Sequence, residues 1–148
     1  LSEKALTEYK TAIVETLGEK KAKSVIEAVD DKLMQDSPVT KNEVIITEKG
    51  NTLCYDKLND RYFKADMDSI KRAENQINCQ MLREGYVSLN DFYDEVGLKH
   101  TALGGSLGWK VDDGMIDISF TTCLADDGTP CLVYRFSREP GPGFDIYA

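Results

Sequence analysis

Apolar residues recur at three- and four-residue intervals near the start of the chain: Leu6, Tyr9, Ile13 and Leu17, then Ala22, Val25, Ile26, Val29 and Leu33 beyond Gly18. That spacing predicts an amphipathic helix over residues 2–36, kinked or broken at Gly18. Two heptads on either side of a glycine fall short of the three or four unbroken ones that mark a coiled coil. Two readings therefore stay open, a helix packed on its own core and a stalk leading to something upstream. Ser37-Pro38 ends the helix, because the residue before a proline is driven out of the α region.

The period then changes from helical to alternating. In "NEVIITEKGNTLCYDKL" two β-rich runs, residues 43–47 and 52–58, flank Lys49-Gly50-Asn51, which predicts a hairpin. From about Asp66 a second helix places Ile70, Ala73, Ile77 and Met81 on one face and stops at Gly85, a residue suited to a left-handed C-terminal cap. Ser88-Leu89-Asn90-Asp91 resembles a capping box with Asp for the usual Glu, opening a short helix from Leu89 to Val96 that Gly97 ends. Its buried side should be Leu89, Phe92, Tyr93 and Val96. The remainder reads as β: residues 115–123, 131–136 and a closing run at 144–147 after the rigid "EPGPG".

These elements make an α+β fold: an N-terminal helical stalk or connector over residues 1–36, then a globular domain over 37–148 with two further helices and a small antiparallel sheet. A chain of 148 residues is long enough to close one core without disulfides or metals. The formal charge of −8 argues against an electrostatic grip on phosphates, so nucleic acid is not the expected partner. No run approaches the roughly 18 apolar residues of a membrane helix. The chain is expected to be soluble as it stands, although it opens on Leu1 directly into helical sequence, which suggests a fragment of something longer.

Candidate chemistry is sparse. Asp112-Asp113-Gly114 and Asp126-Asp127-Gly128 offer adjacent carboxylates, whereas a calcium loop needs alternate oxygen ligands and a closing bidentate Glu. Neighbouring side chains of an extended segment point to opposite faces, and Asp-Gly suits turns with a positive φ, so hairpin turns are expected at both places. "GGSLG", residues 104–108, matches the G-x-S-x-G pattern of a nucleophile elbow, but an elbow follows a strand and its His comes later in the chain. Here the lone His100 precedes Ser106. Cys54, Cys79, Cys123 and Cys131 show no zinc spacing and sit among apolar neighbours. Buried thiols are the expectation; a Cys123–Cys131 cross-strand disulfide and metal ligation are the alternatives. Trp109 is large enough to anchor a core or a groove, and burial near Phe92 and Val96 is expected.

The order of "LGEKKAKSVIEAV", "IITEKGNTLCYDKLNDRYFKAD", a helix containing "AENQIN", "GYVSLNDFYDEVGL", "GGSLGW" and "IDISF" resembles a domain-of-unknown-function family of phage and prophage-type proteins from Gram-positive bacteria. The specific parts are "YVSLNDFYDEVGL" and the "LGW" that follows. The resemblance implies a hydrophobic, membrane-type region upstream of Leu1 and carries no catalytic residues over to this chain. It departs at "SREPGPGFDIYA", where a tighter acidic turn is expected. The leading reading is a non-enzymatic interaction or structural module, cytoplasmic or on the cytoplasmic face of the membrane, without cofactor. Its partner is another protein or a second copy, met through Trp109 or the stripe Leu6, Tyr9, Ile13 and Leu17. The alternative is a small hydrolase or metal-dependent enzyme using Ser106, His100 or the Asp-Asp-Gly turns.

Overall fold

The computed structural model describes residues 19–146 and, within the first helix, side chains from residue 24 onward. In chain order the elements are α1 (Glu19–Asp36), β1 (Val44–Lys49), β2 (Leu53–Asp56), β3 (Arg61–Ala65), α2 (Met67–Glu84), β4 (Tyr86–Ser88), α3 (Leu89–Val96), α4 (Ala102–Ser106), β5 (Gly108–Lys110), β6 (Ile118–Leu124) and β7 (Pro130–Phe136). The class is α+β, but the expected small antiparallel sheet is corrected. A five-stranded mixed sheet runs in the order β1-β3-β2-β7-β6, with β4 and β5 forming a separate two-stranded sheet.

The correction begins at the expected hairpin. β1 does not pair with β2; β3 inserts between them, parallel to β1 and antiparallel to β2. Gly50 carries the chain over the end of β3, where Asp66 N–H bonds the carbonyl of Lys49 and Ala65 N–H that of Thr52, both at 3.0 Å. Its φ is +141°, and a Cβ there would collide with Asp66. The glycine thus serves a crossover, and the true hairpin joins β2 to β3 through residues 57–60. β2 also pairs in parallel with β7, so the two hairpins β2–β3 and β6–β7 are welded into one sheet.

Both faces of the sheet are covered. On one, Cys54, Phe63, Leu132, Tyr134 and Phe136 meet Ile70, Ala73, Ile77 and Met81 of α2 and Leu89, Phe92, Tyr93 and Val96 of α3. On the other, Leu53, Tyr55, Tyr62, Cys123, Cys131 and Val133 meet Met34 of α1 and Val39 of the single 3₁₀ turn that follows it. Buried on both sides, residues 53–55 of β2 and 131–134 of β7 read as continuous apolar runs rather than alternating ones.

The helix ends follow the sequence closely. Ser88 accepts from Asp91 N–H at 3.0 Å while the Asp91 carboxylate accepts from Ser88 N–H at 2.9 Å, a complete capping box. Gly85 and Gly97 take the left-handed conformation at the ends of α2 and α3. The stretch "AENQIN" also acquires a purpose. Asn78 exchanges two hydrogen bonds of 2.9 Å with the backbone of Ile116, and Glu74 accepts from Ile118 N–H at 2.8 Å, so α2 clamps the entry to β6 with side chains in place of a strand. Over the described part of the expected closing strand, residues 144–146, no strand forms. Among the described residues this segment makes only one antiparallel bridge, Gly141 to Gly108, and Phe144 packs over Gly108 instead.

Candidate functional site

Three places collect polar chemistry, and the deepest is Asp56. The last residue of β2 points between sheet and α3 and is 1% exposed. Its carboxylate accepts from Arg61 Nε at 2.9 Å and from the hydroxyls of Tyr93 and Tyr134 at 3.1 Å each. Tyr93 in turn accepts from Asn59 Nδ2 at 2.6 Å, and the Arg61 guanidinium lies 4.4 Å from the centre of the Tyr93 ring while donating to the Lys99 carbonyl. Burial pushes the Asp56 carboxyl above the ordinary carboxylate range, with Arg61 and the tyrosine hydroxyls pulling it back. Burial likewise raises both tyrosine hydroxyls, which keeps them protonated and donating. The cluster ties β2, β3, β7 and α3 together and is walled by Phe92 and Phe136.

A second buried acid sits on the opposite face. Asp30 of α1 accepts from Lys57 Nζ at 3.3 Å and from Arg135 Nη2 at 2.7 Å. With Met34 one turn on, it seats the second half of α1 on the sheet. Sequence reasoning passed over both acids, because a charge inside an apolar pattern reads as an interruption rather than as a pin. For Asp56 the available clue was its positive partner Arg61 on the next strand; Arg135, 105 residues from Asp30, gave none.

The third place is a cleft of about 290 Å³ between β5 and the loop that follows β7, lined by Trp109, Lys110, Asp113, Arg138, Pro142 and Phe144 among others. Arg138 closes one side, 3.5 Å from Asp113 and donating to the Gly114 carbonyl. Trp109 forms its floor and is 2% exposed; the indole N–H donates to the Arg138 carbonyl at 2.7 Å and the ring stacks edge-on against Phe136 at 4.9 Å. Of the two roles considered for Trp109, core and groove anchor, the ring takes the core, in the same cluster as Phe92 and Val96. What remains exposed of it, 2%, leaves little of the ring for a partner to touch.

The other sequence candidates fall as follows. Ser106 ends α4 on an exposed turn and donates to the carbonyl of Ala102 at 3.1 Å, with a helix before it and a strand after it, the reverse of an elbow. His100 bonds Asp94 at 2.6 Å on the surface. Asp126-Asp127-Gly128 makes the β6–β7 hairpin, with Gly128 at φ +84° and Thr129 N–H donating to Asp127 at 2.9 Å. That bond holds the Asp127 carboxyl below the ordinary range. Asp126 reaches back to bond Thr40. Asp112-Asp113-Gly114 is a surface 3₁₀ turn but not a hairpin, because β5 pairs with β4. No group of three metal-ligating side chains occurs among the described residues. Cys54, Cys123 and Cys131 are buried free thiols, whereas Cys79 is exposed, against expectation. The stripe Leu6, Tyr9, Ile13 and Leu17 lies outside the described residues. Among those described, no helix is long and apolar enough to cross a membrane.

No curated protein and no solved structure matches the chain. Residues 1–145 match a family described as a family of unknown function, DUF6353, and the chain belongs to it.

Proposed function

We propose that this domain is a non-enzymatic interaction or structural module of a phage or mobile-element protein. On this reading it stands at the cytoplasmic face of the host membrane, tethered through a segment upstream of Leu1. The observation that carries the reading is how its reactive side chains are used. Asp56, Asp30 and Glu74 each hold two elements together, Ser106 bonds its own helix, and His100 bonds a neighbouring carboxylate. The tether and the mobile-element setting are supported by the resemblance carried by "YVSLNDFYDEVGL" and "LGW".

The test is direct. A serine-reactive fluorophosphonate should leave the purified chain unlabelled, and calcium should leave its melting temperature unchanged. A cation at a hundred times its dissociation constant would add about 2.7 kcal/mol. Stoichiometric labelling lost in Ser106→Ala would overturn the reading in favour of an enzyme, and a rise of several degrees with calcium would overturn the reading of the Asp-Asp-Gly segments as plain turns.

A further inference from the structure

The two margins of the large sheet are treated differently. β1, at one margin, is blunted: its register with β3 shifts between Ile46 and Lys49, Glu48 takes φ +63°, and Glu43, Glu48 and Lys49 charge its ends. Bulges and charges of this kind stop a bare strand edge from recruiting another chain. β6, at the other margin, has neither a bulge nor a charge within the strand, its flanking charges being Asp117 before it and Asp126 and Asp127 in the turn after it. Its seven residues, "ISFTTCL", contain no charge and no proline and keep an unbroken register with β7.

The hydrogen-bond parity tells which groups face outward. The hairpin is closed by Ala125 N–H donating to the Thr129 carbonyl at 2.9 Å, so the odd-numbered residues of β6 bond β7 and the even-numbered ones point away. Ile118 confirms the parity, since its N–H bonds Glu74 and its carbonyl accepts from Lys71 Nζ at 2.6 Å. The clamp from α2 covers Ile116 and Ile118 and ends there. Phe120, Thr122 and Leu124 therefore present their N–H and C=O groups along an edge that no strand among the described residues occupies. Leu124 is 67% exposed beside it.

We infer that this edge pairs antiparallel with the same edge of a second copy, about a two-fold axis at Thr122, joining two sheets into one of ten strands. Several features favour a second copy as the occupant. Pairing centred on Thr122 sets Phe120 opposite Leu124 of the other copy, covering an exposed apolar side chain, and satisfies all three outward pairs of backbone groups. It also sets Ile118 opposite Asp126. Lys71, whose Nζ lies 5.8 Å from the centre of the Phe120 ring at the Ile118 end, then faces the Asp126-Asp127 turn of the other copy, twice by symmetry. Lys71 already pairs with Glu74 at 3.0 Å, so these contacts oppose only part of the repulsion between two chains of net charge −8. The inference deepens the interaction reading by naming the partner.

Analytical ultracentrifugation of the full chain over a concentration series tests it. The wild type should rise from 16.6 kDa towards twice that mass. Thr122→Pro should stay at the lower mass, because proline there removes only a donor that β7 does not use. Thr122→Lys, which places a charge on the edge, should behave alike and decides the matter if the proline variant fails to fold. Lys71→Ala should shift association to higher concentration. The inference is overturned by a wild type that stays monomeric, by a dimer that both Thr122 variants leave intact, or by a monomer whose Thr122 N–H is already protected from exchange, which would mean that the chain's own residues 1–18 cover the edge. A monomer that does not react with fluorophosphonate removes self-pairing and leaves the broader reading standing.

Discussion

The four cysteines show how context divides chemically identical residues. Burial pushes the thiols of Cys54, Cys123 and Cys131 up to about 12, whereas Cys79 lies on the exposed side of α2. At pH 8 a thiol of that pKa is ionised in roughly one molecule in ten thousand, and the thiolate is the nucleophile. Ellman's reagent should therefore find one fast thiol in the native protein and four in denaturant; three or more fast native thiols would show that the core is open. The raised values also set the sign of an alkaline effect. The three buried thiols bind protons more tightly folded than unfolded, so their contribution to stability is full below the ordinary thiol pKa and is lost as pH rises from there towards 12. At this scale much was legible in the sequence. Ser88, Asp91, Gly85 and Gly97 act through local backbone chemistry, and their positions alone foretold both ends of α3 and the end of α2.

Elements were legible to the extent that their partners are local. α2 and α3 bury the faces that their apolar spacing marks, and the Asp126-Asp127-Gly128 turn joins neighbours in sequence. The order of the strands was not legible, because pairing β1 with β3 and β2 with β7 depends on contacts between distant residues. Gly50 gives the same glycine cue whether it turns a hairpin or crosses a strand end. α1 is the instructive case. Its apolar stripe was read through Ala22, Val25, Ile26, Val29 and Leu33, yet among the described side chains the most buried are Asp30 and Met34, so a charged residue takes part in the contact. Removing one partner of a buried ion pair leaves the others uncompensated. Asp30→Ala should free α1 from the sheet, lowering the local opening energy of residues 24–36 by about 3 kcal/mol while α2 and α3 keep their protection. Amide hydrogen exchange reads this; unchanged protection in α1 would show that Met34 and its neighbours hold the helix without the acid.

Across the whole molecule, buried polar groups tie the layers together. Asp56 joins the sheet to α3, Asp30 joins the sheet to α1, and Glu74 with Asn78 joins α2 to the edge of the sheet. On the proposed reading the buried acids serve architecture, and the surfaces with the β6 edge serve recognition. An acid retained for catalysis behaves differently, since active-site groups often cost stability and their removal is then neutral or stabilising. The most direct measurement is the free energy of unfolding of Asp56→Asn, an isosteric change that removes the charge from Arg61 and the two tyrosines without emptying the site. Denaturant titration should show a loss of about 3–5 kcal/mol relative to the wild type. A variant as stable as the wild type, or more so, would contradict the account and mark Asp56 as a residue kept for chemistry.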